Sequence, residues 1–337
     1  MKFLLVAINA KYIHSNPAIY SLRAYAGEDL QQHVDLAEYT INQYMPEILA
    51  DIYKRKPDVI GFSCYIWNWR LVQELLQEIP KILPGVPIWL GGPEVSFDCE
   101  KILQQYPDVT GVMVGEGEAT FRELLEYTVQ AWNMATSRKK SCEESFCGEN
   151  PKKRICITAD YRHIPGLCLP SGFTPMRPLT DMSKIPFLYH DLQPFENKII
   201  YYESSRGCPF RCSYCLSSID KAVRLRDTGV VKKELQFFLD NRVKQVKFVD
   251  RTFNCKHSHA MEIWKYIHEH DNGVTNFHFE VAADLITEDE LALFGKMRKG
   301  LIQLEIGVQS TNEETICEIR RKMNFSKVAD IVTRVKE

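Results

Sequence analysis

Twice along this chain, short strand-like runs rich in apolar residues alternate with stretches of helical period, and that alternation leaves few folds open. A strand with no polar residue has to be covered on both faces, which a parallel sheet flanked by helices provides. In the first series strands are expected at residues 2–8, 33–38, 58–63, 86–90 and 109–114. Helices are expected between and after them, at 17–27, 45–54, 67–79 and 118–131. The period is plainest in the third helix, where Trp67, Leu71, Leu75, Leu76 and Ile79 fall on one face. These elements predict an α/β fold with an N-terminal doubly wound parallel sheet. Such sheets take ligands outside the carboxyl ends of their strands.

The rhythm breaks at residues 132–157, which are polar and charged and read as a flexible linker or exposed insertion. Residues 155–171 are expected to form a hairpin crossing to the next domain. Pro175, Pro178, Pro186 and Pro194 make 174–195 an extended connector. Alternation then resumes, with strands expected at 198–203, 245–249, 275–281 and 301–308 and helices at 230–241, 259–270, 288–299 and from about 312. That is about four β/α units, where a complete eight-fold barrel takes roughly 250 residues. The expected organisation is therefore a first domain at 1–131, a linker and connector at 132–196, and an incomplete β/α barrel at 197–337. Such a chain reads as a truncated barrel or a half barrel.

Charge and composition remove other classes. With 42 basic and 44 acidic residues the 337-residue chain carries −2, so it lacks the basic field of a duplex binder. No run of about 18 apolar residues occurs, so no membrane span is expected. The apolar start, Phe3 to Ile8, is too short for a signal-peptide core and reads as a buried first strand. Eleven cysteines without an export signal point to a reducing, cytoplasmic setting, where thiols stay free or bind metal. No phosphate-binding P-loop, G-x-G-x-x-G, G-x-S-x-G or H-E-x-x-H is present. His257 and His259 read as a helix start, and Trp67-Asn68-Trp69 as packing aromatics.

Most of the cysteines are scattered singly and read as small buried hydrophobes. Cys208, Cys212 and Cys215 fall within eight residues, as C-x3-C-x2-C directly after an expected strand. Three thiolates on one short loop can hold three corners of an iron–sulfur cube and leave one iron open. The competing reading is a zinc knuckle completed from a distance, although zinc ligands usually come as two pairs. No fourth cysteine is local, and the next along the chain is Cys255.

The motif, with the aromatic Tyr214 before its last cysteine and its place after the first strand of a β/α barrel, resembles the radical S-adenosylmethionine (radical SAM) superfamily. The resemblance implies that Cys208, Cys212 and Cys215 bind a 4Fe–4S cluster and that SAM chelates the open iron. One electron then cleaves SAM to a 5′-deoxyadenosyl radical. It implies an enzyme working anaerobically with a reductant such as flavodoxin or ferredoxin. It places Tyr214 against the adenine. Asp250, in Phe248-Val249-Asp250-Arg251-Thr252-Phe253-Asn254, stands at the turn that holds the SAM amino group, although this sequence departs from the usual Gly-Gly-Glu there. Glu280 on the third strand, and Gln309 and Ser310 in Ile306-Gly307-Val308-Gln309-Ser310 on the fourth, are placed near SAM in the same way.

A doubly wound domain ahead of such a barrel resembles the cobalamin-binding branch of the superfamily. Three signatures mark that branch: D-x-H-x-x-G after the first strand, S-x-L after the third and G-G after the fourth. This chain has Asn9-Ala10-Lys11-Tyr12-Ile13-His14 at the first, without the Asp or the Gly, so cobalamin is expected with no protein histidine below the cobalt. It has Ser63-Cys64-Tyr65 at the second and Gly91-Gly92 at the third. The resemblance assigns Ser63, Gly91 and Gly92 to cobalamin and suggests methyl transfer to an unknown substrate. The alternatives are a radical SAM protein whose first domain binds no cobalamin, and an inactive fragment or zinc-binding module.

Overall fold

The computed structural model describes residues 1–143, 159–219 and 222–336. The chain divides into two compact units, Met1–Thr180 with Ile185–Pro194, and Asp181–Lys184 with Phe195–Glu337.

In the first unit, β1 (Phe3–Asn9), β2 (Val34–Thr40), β3 (Val59–Ser63), β4 (Ile88–Gly91) and β5 (Val109–Met113) form a parallel sheet in the order β2-β1-β3-β4-β5. The chain reverses its winding direction between β1 and β3, which opens a crevice at their carboxyl ends. All seven residues of β1 are buried, and alternate side chains feed two cores. Leu4, Val6 and Ile8 pack with α2 (Met45–Arg55), α3 (Trp69–Ile82), α4 (Pro93–Ser96) and α5 (Cys99–Gln105). Phe3, Leu5 and Ala7 pack with α1 (Pro17–Tyr25) and α6 (Gly117–Glu143). Apolar up to its last residue, Asn9, the strand has helices on both faces, as its composition demands. Asn16 starts α1 by accepting a hydrogen bond from the Ile19 amide at 3.4 Å, with Pro17 at the first helical position.

Two segments differ from the sequence reading. Helix α6 continues to Glu143, past the expected end at 131. Residues 132–143 hold no Gly or Pro, and Ala, Met, Lys, Arg and Glu are good helix formers, so polarity alone does not end the helix. The remainder of the expected linker, with Cys147 and Cys156, lies outside the described residues. The expected hairpin forms as β6 (Leu167–Leu169) and β7 (Gly172–Phe173), but it joins the first sheet and does not leave it. Val112 and Met113 of β5 pair antiparallel with Cys168 and Leu167, so the hairpin covers an otherwise open edge with buried side chains. The first unit therefore extends well beyond residue 131.

In the second unit, β8 (Ile200–Tyr202), β11 (Gln245–Phe248), β12 (Asn276–Val281) and β13 (Ile302–Ile306) form a parallel sheet in sequence order. Between β8 and β11, a short antiparallel ribbon of β9 (Ser205–Arg206) and β10 (Arg224–Leu225) precedes α7 (Thr228–Asp240). Helices α8 (His257–Glu269) and α9 (Glu288–Phe294) follow β11 and β12, and α10 (Glu313–Glu318) and α11 (Phe325–Lys336) follow β13. One face of this sheet is apolar. Phe248 and Phe279 stand 4.4 Å apart between ring centres, and Trp264 of α8 meets Phe279 edge-on at 5.8 Å. The opposite face carries Lys247, His278, Glu280 and Glu305, which are half-buried or exposed. Four β/α units with a polar inner face match the expected partial barrel.

Candidate functional site

Because β8, β11, β12 and β13 run parallel and adjacent, their carboxyl ends share one edge of the second unit. The cysteine loop rises from that edge. Its two ends are clasped by β9 and β10, where Arg206 pairs with Arg224 and Ser205 with Leu225. Gly207 turns the chain with φ +97°, open to glycine at little cost. Cys208 and Cys212 lie just beneath the surface, Cys215 is half-exposed, and all three thiols are free. The Cys215 amide donates to the Cys212 carbonyl at 3.1 Å, and the Ser213 amide to Ile319 at 2.9 Å, so the loop is tied to itself and to the end of α10.

Among the described residues, no three His, Cys, Asp or Glu side chains converge as the ligands of a single ion do. A 4Fe–4S cube makes a different demand. Each cysteine binds its own iron, so the thiolates must surround a body and need not meet at a point. Three free thiols on one clasped loop supply that donor set.

The Asp250 carboxylate lies wholly inside the fold, not on the open edge. It accepts from the Ser204 amide at 3.0 Å, the Ser204 hydroxyl at 2.8 Å and the Ser205 hydroxyl at 2.5 Å. Burial raises its pKa to about 6, against these three hydrogen bonds. His259, whose pKa burial lowers, places Nε2 3.3 Å from the Ser204 hydroxyl. Asp250 therefore grips the two residues that lead into the cysteine loop. Just beyond it, the Thr252 hydroxyl oxygen stands 3.6 Å from the Cys208 sulfur. Burial first, then the charges of Cys208 and Asp250, push the Cys255 thiol up to about 11.

Further along the edge, Glu280 of β12 pairs directly with Glu305 of β13. Like charges placed opposite each other repel. Lys247 offsets this, with Nζ 2.8 Å from Glu305 Oε2 and 3.8 Å from Glu280 Oε1. Burial and then Glu305 raise the Glu280 pKa. After β13 the chain turns sharply: Gln309 adopts φ +61°, and the Ser310 amide donates to Val308 at 2.8 Å. The Gln309 side chain folds back over Gly307, where a Cβ would lie 2.8 Å from its nitrogen. Tyr214 is 55% exposed, which leaves its ring open to a partner. Arg321 spans the site, donating to the Tyr214 hydroxyl at 3.5 Å and to the Gly307 carbonyl at 2.6 Å. Ser204, Ser205, Thr252, Lys247 and Arg321 escaped the sequence reading.

In the first unit, Ser63 and Gly91 are direct partners at the carboxyl ends of β3 and β4. Gly92 has φ +116°, and a Cβ there would stand 2.4 Å from the Cys64 carbonyl oxygen. The glycine is thus required by the chain's own close approach. The crevice beside it is lined by a hydrogen-bonded network in which Asn16, Tyr20 and Glu38 carried no sequence signal. Asn68 donates to Ile8 O at 3.0 Å and to Ser63 O at 2.9 Å, and Asn16 Nδ2 donates to the Ser63 hydroxyl at 3.4 Å. Glu38 collects Asn9 Nδ2, the Asn16 amide and the Tyr20 hydroxyl at 2.8–2.9 Å. Burial, reinforced by Glu38, pushes the Tyr20 phenol well above its usual range. His14 enters this network through its carbonyl, which accepts from Asn9. Above the crevice, Tyr12, Ile13, Ile66, Trp67 and Phe97 stand exposed on the loops after β1, β3 and β4.

Comparison with known proteins matches residues 202–337 to the radical SAM superfamily and residues 4–125 to the B12 binding domain. The chain carries a B12-binding domain followed by a radical SAM domain. It is 26% identical over 249 residues to the 2-(S-pantetheinyl)-carbapenam-3-carboxylate methyltransferase of Streptantibioticus cattleyicolor, covering 68% of this chain and 32% of that protein. It is 23% identical over 302 residues to the anaerobic magnesium-protoporphyrin IX monomethyl ester cyclase of Rubrivivax gelatinosus, covering 86% of this chain and 52% of the cyclase. The chain thus spans about half or less of these curated relatives. The fold matches that of the cobalamin-dependent S-adenosylmethionine radical enzyme OxsB, solved with aqua-cobalamin and S-adenosylmethionine bound, with a TM-score of 0.72 and 17% identity over 98% of this chain and 47% of that one.

Proposed function

We propose that this chain carries the cofactor-binding machinery of a cobalamin-dependent radical SAM methyltransferase. The observation that carries the reading is the three-thiol loop, clasped by β9 and β10 at the carboxyl edge of a parallel sheet. Cys208, Cys212 and Cys215 hold the 4Fe–4S cluster, and Ser63, Gly91 and Gly92 border the cobalamin. When bound, the cluster and SAM supply one-electron radical chemistry and cobalamin carries a methyl group.

The protein's own residues hold and shield these groups. Asp250 fixes the approach to the loop through Ser204 and Ser205. Tyr214 presents an exposed ring to a flat base, and Glu280 offers a carboxylate on the same edge to a ligand ammonium or hydroxyl. The Gln309 turn brings Gln309 and Ser310 to that edge, and strained backbone of this kind clusters where ligands are gripped. In the first unit, the exposed set from Tyr12 to Phe97 offers an apolar bed to a wide flat ring. A one-electron donor of the flavodoxin or ferredoxin class serves as reductant. Methyl transfer is preferred because the carbapenam relative, matched over 68% of this chain, is a methyltransferase.

The test is anaerobic reconstitution with iron and sulfide, followed by assays of SAM cleavage and cobalamin titration. Wild type should gain thiolate-to-iron absorbance near ~400 nm and cleave SAM. Cys212→Ala should lose both to background, whereas Cys317→Ala, at an exposed thiol outside the loop, should keep both. Equal behaviour of the two variants refutes the cluster assignment, and an unshifted corrin spectrum refutes the cobalamin assignment.

A further inference from the structure

We propose that Thr252 is a positioning residue for the cluster, donating its hydroxyl proton to the Cys208 thiolate and thereby setting the potential at which the cluster accepts its electron. This rests on the cluster assignment above and deepens it. Thr252 and Cys208 are both buried, with Oγ1 and Sγ 3.6 Å apart. The same hydroxyl lies 2.8 Å from the Arg251 carbonyl oxygen.

A hydroxyl has one proton to give and two lone pairs to offer. While Cys208 is a thiol, both contacts are satisfied: S–H donates to Oγ1, and O–H donates to Arg251. A ligating cysteine has lost its proton, so its sulfur can only accept. Two acceptors then compete for one hydroxyl proton. The sulfur carries the charge, and charge-assisted hydrogen bonds are roughly twice as strong as neutral ones.

The surrounding turn is held from both sides, which keeps Thr252 in place when the loop closes on a cluster. Asp250 fastens it to Ser204 and Ser205. Asn254 exchanges two hydrogen bonds with Ala282 beyond β12, at 2.9 and 3.0 Å. The Cys255 amide donates back to the Thr252 carbonyl at 3.1 Å.

Reduction adds one electron to the cluster and removes one from the external donor, and no bond in the protein breaks. Part of the added charge resides on the cysteine sulfurs. A donor aimed at one of them stabilises the reduced form and raises the potential.

The full chain, anaerobically reconstituted, tests this by EPR-monitored reductive titration with iron and sulfide counted in parallel. Thr252→Val keeps the shape and loses the hydroxyl, so its midpoint potential should move to the negative side of wild type with the iron count unchanged. Thr252→Ser should return the potential to the wild-type value. Thr252→Ala and Thr252→Ser differ by one oxygen atom, and Ala should be the more negative of the two. A potential unmoved in both Val and Ala, with cluster intact, overturns the proposal. Cluster lost in Val and Ala but kept in Ser supports it, since only the hydroxyl separates Ser from Ala. Cluster lost in Ser as well overturns it, because the methyl group then holds the site. A wild type that takes no iron is a separate result and refutes the cluster assignment itself.

Discussion

Asp250 keeps its carboxyl where no water reaches, and that placement has a pH signature. Its pKa rises from 3.8 to about 6 on folding, so between these values the folded chain binds more protons than the unfolded one. Stability from this group is therefore full below about pH 4 and lost as pH climbs through 6. Two pKa units are worth about 3 kcal/mol. Asp250→Asn cannot titrate, so the substitution should cost more stability at pH 4 than at pH 7, by on the order of 3 kcal/mol in urea unfolding of the cluster-free chain. A cost that is the same at both pH values rejects the buried-carboxyl account. The same residue shows what a sequence reveals at this scale. Three cysteines in eight residues announce themselves because their spacing is local. Asp250 could be picked out by its place at a strand end, but its partners lie 45 and 46 residues away, and no local pattern links them. The sequence reading aimed its carboxylate at SAM, while the fold turns it toward Ser204 and Ser205.

At the scale of elements, apolar period located strands and helices, but edges and ends were harder. Strand β6 is three residues long and is buried by pairing with β5, a partner more than fifty residues earlier, so its membership of the first sheet left no trace in local pattern. Helix α6 ran on because nothing in 132–143 stops a helix. The Gly91-Gly92 pair was visible, yet its reason was not. The resemblance assigned it to cobalamin, and the fold adds that Gly92 meets the backbone after β3. Two glycines separate conformation from crowding. Gly92 and Gly172 share φ +116°, but a Cβ on Gly172 would meet nothing within 4 Å. Gly172→Ala should cost only the backbone strain, about 1–2 kcal/mol. Gly92→Ala should exceed it by roughly 2 kcal/mol, because the Cys64 carbonyl has to move as well. Urea midpoints at unchanged m-value measure both, and equal losses would show that close approach plays no part.

Over the whole molecule, two parallel sheets place their ligand-binding edges by one rule, since function gathers at the carboxyl ends of parallel strands. The alternation of apolar runs made both sheets legible, and the topology adds the crevice between β1 and β3, which depends on strand order and so on contacts no window of sequence contains. The two edges should respond to different ligands. Hydrogen exchange of the full chain with cobalamin at a hundred times its Kd should slow segments that open only in the unbound form by about a hundred-fold. That protection should concentrate in the loops after β1, β3 and β4, around residues 10–16, 64–68 and 92–98. Cluster and SAM together should instead protect 204–218, 250–255 and 307–312, the turns that carry the cysteines, Asp250 and Gln309. The protected segments follow from strand direction alone, so the experiment bears on the rule and not on any single side chain. Protection by cobalamin at the amino ends of the first sheet, or spread evenly over it, would mean that the crevice between β1 and β3 is not where the ring sits.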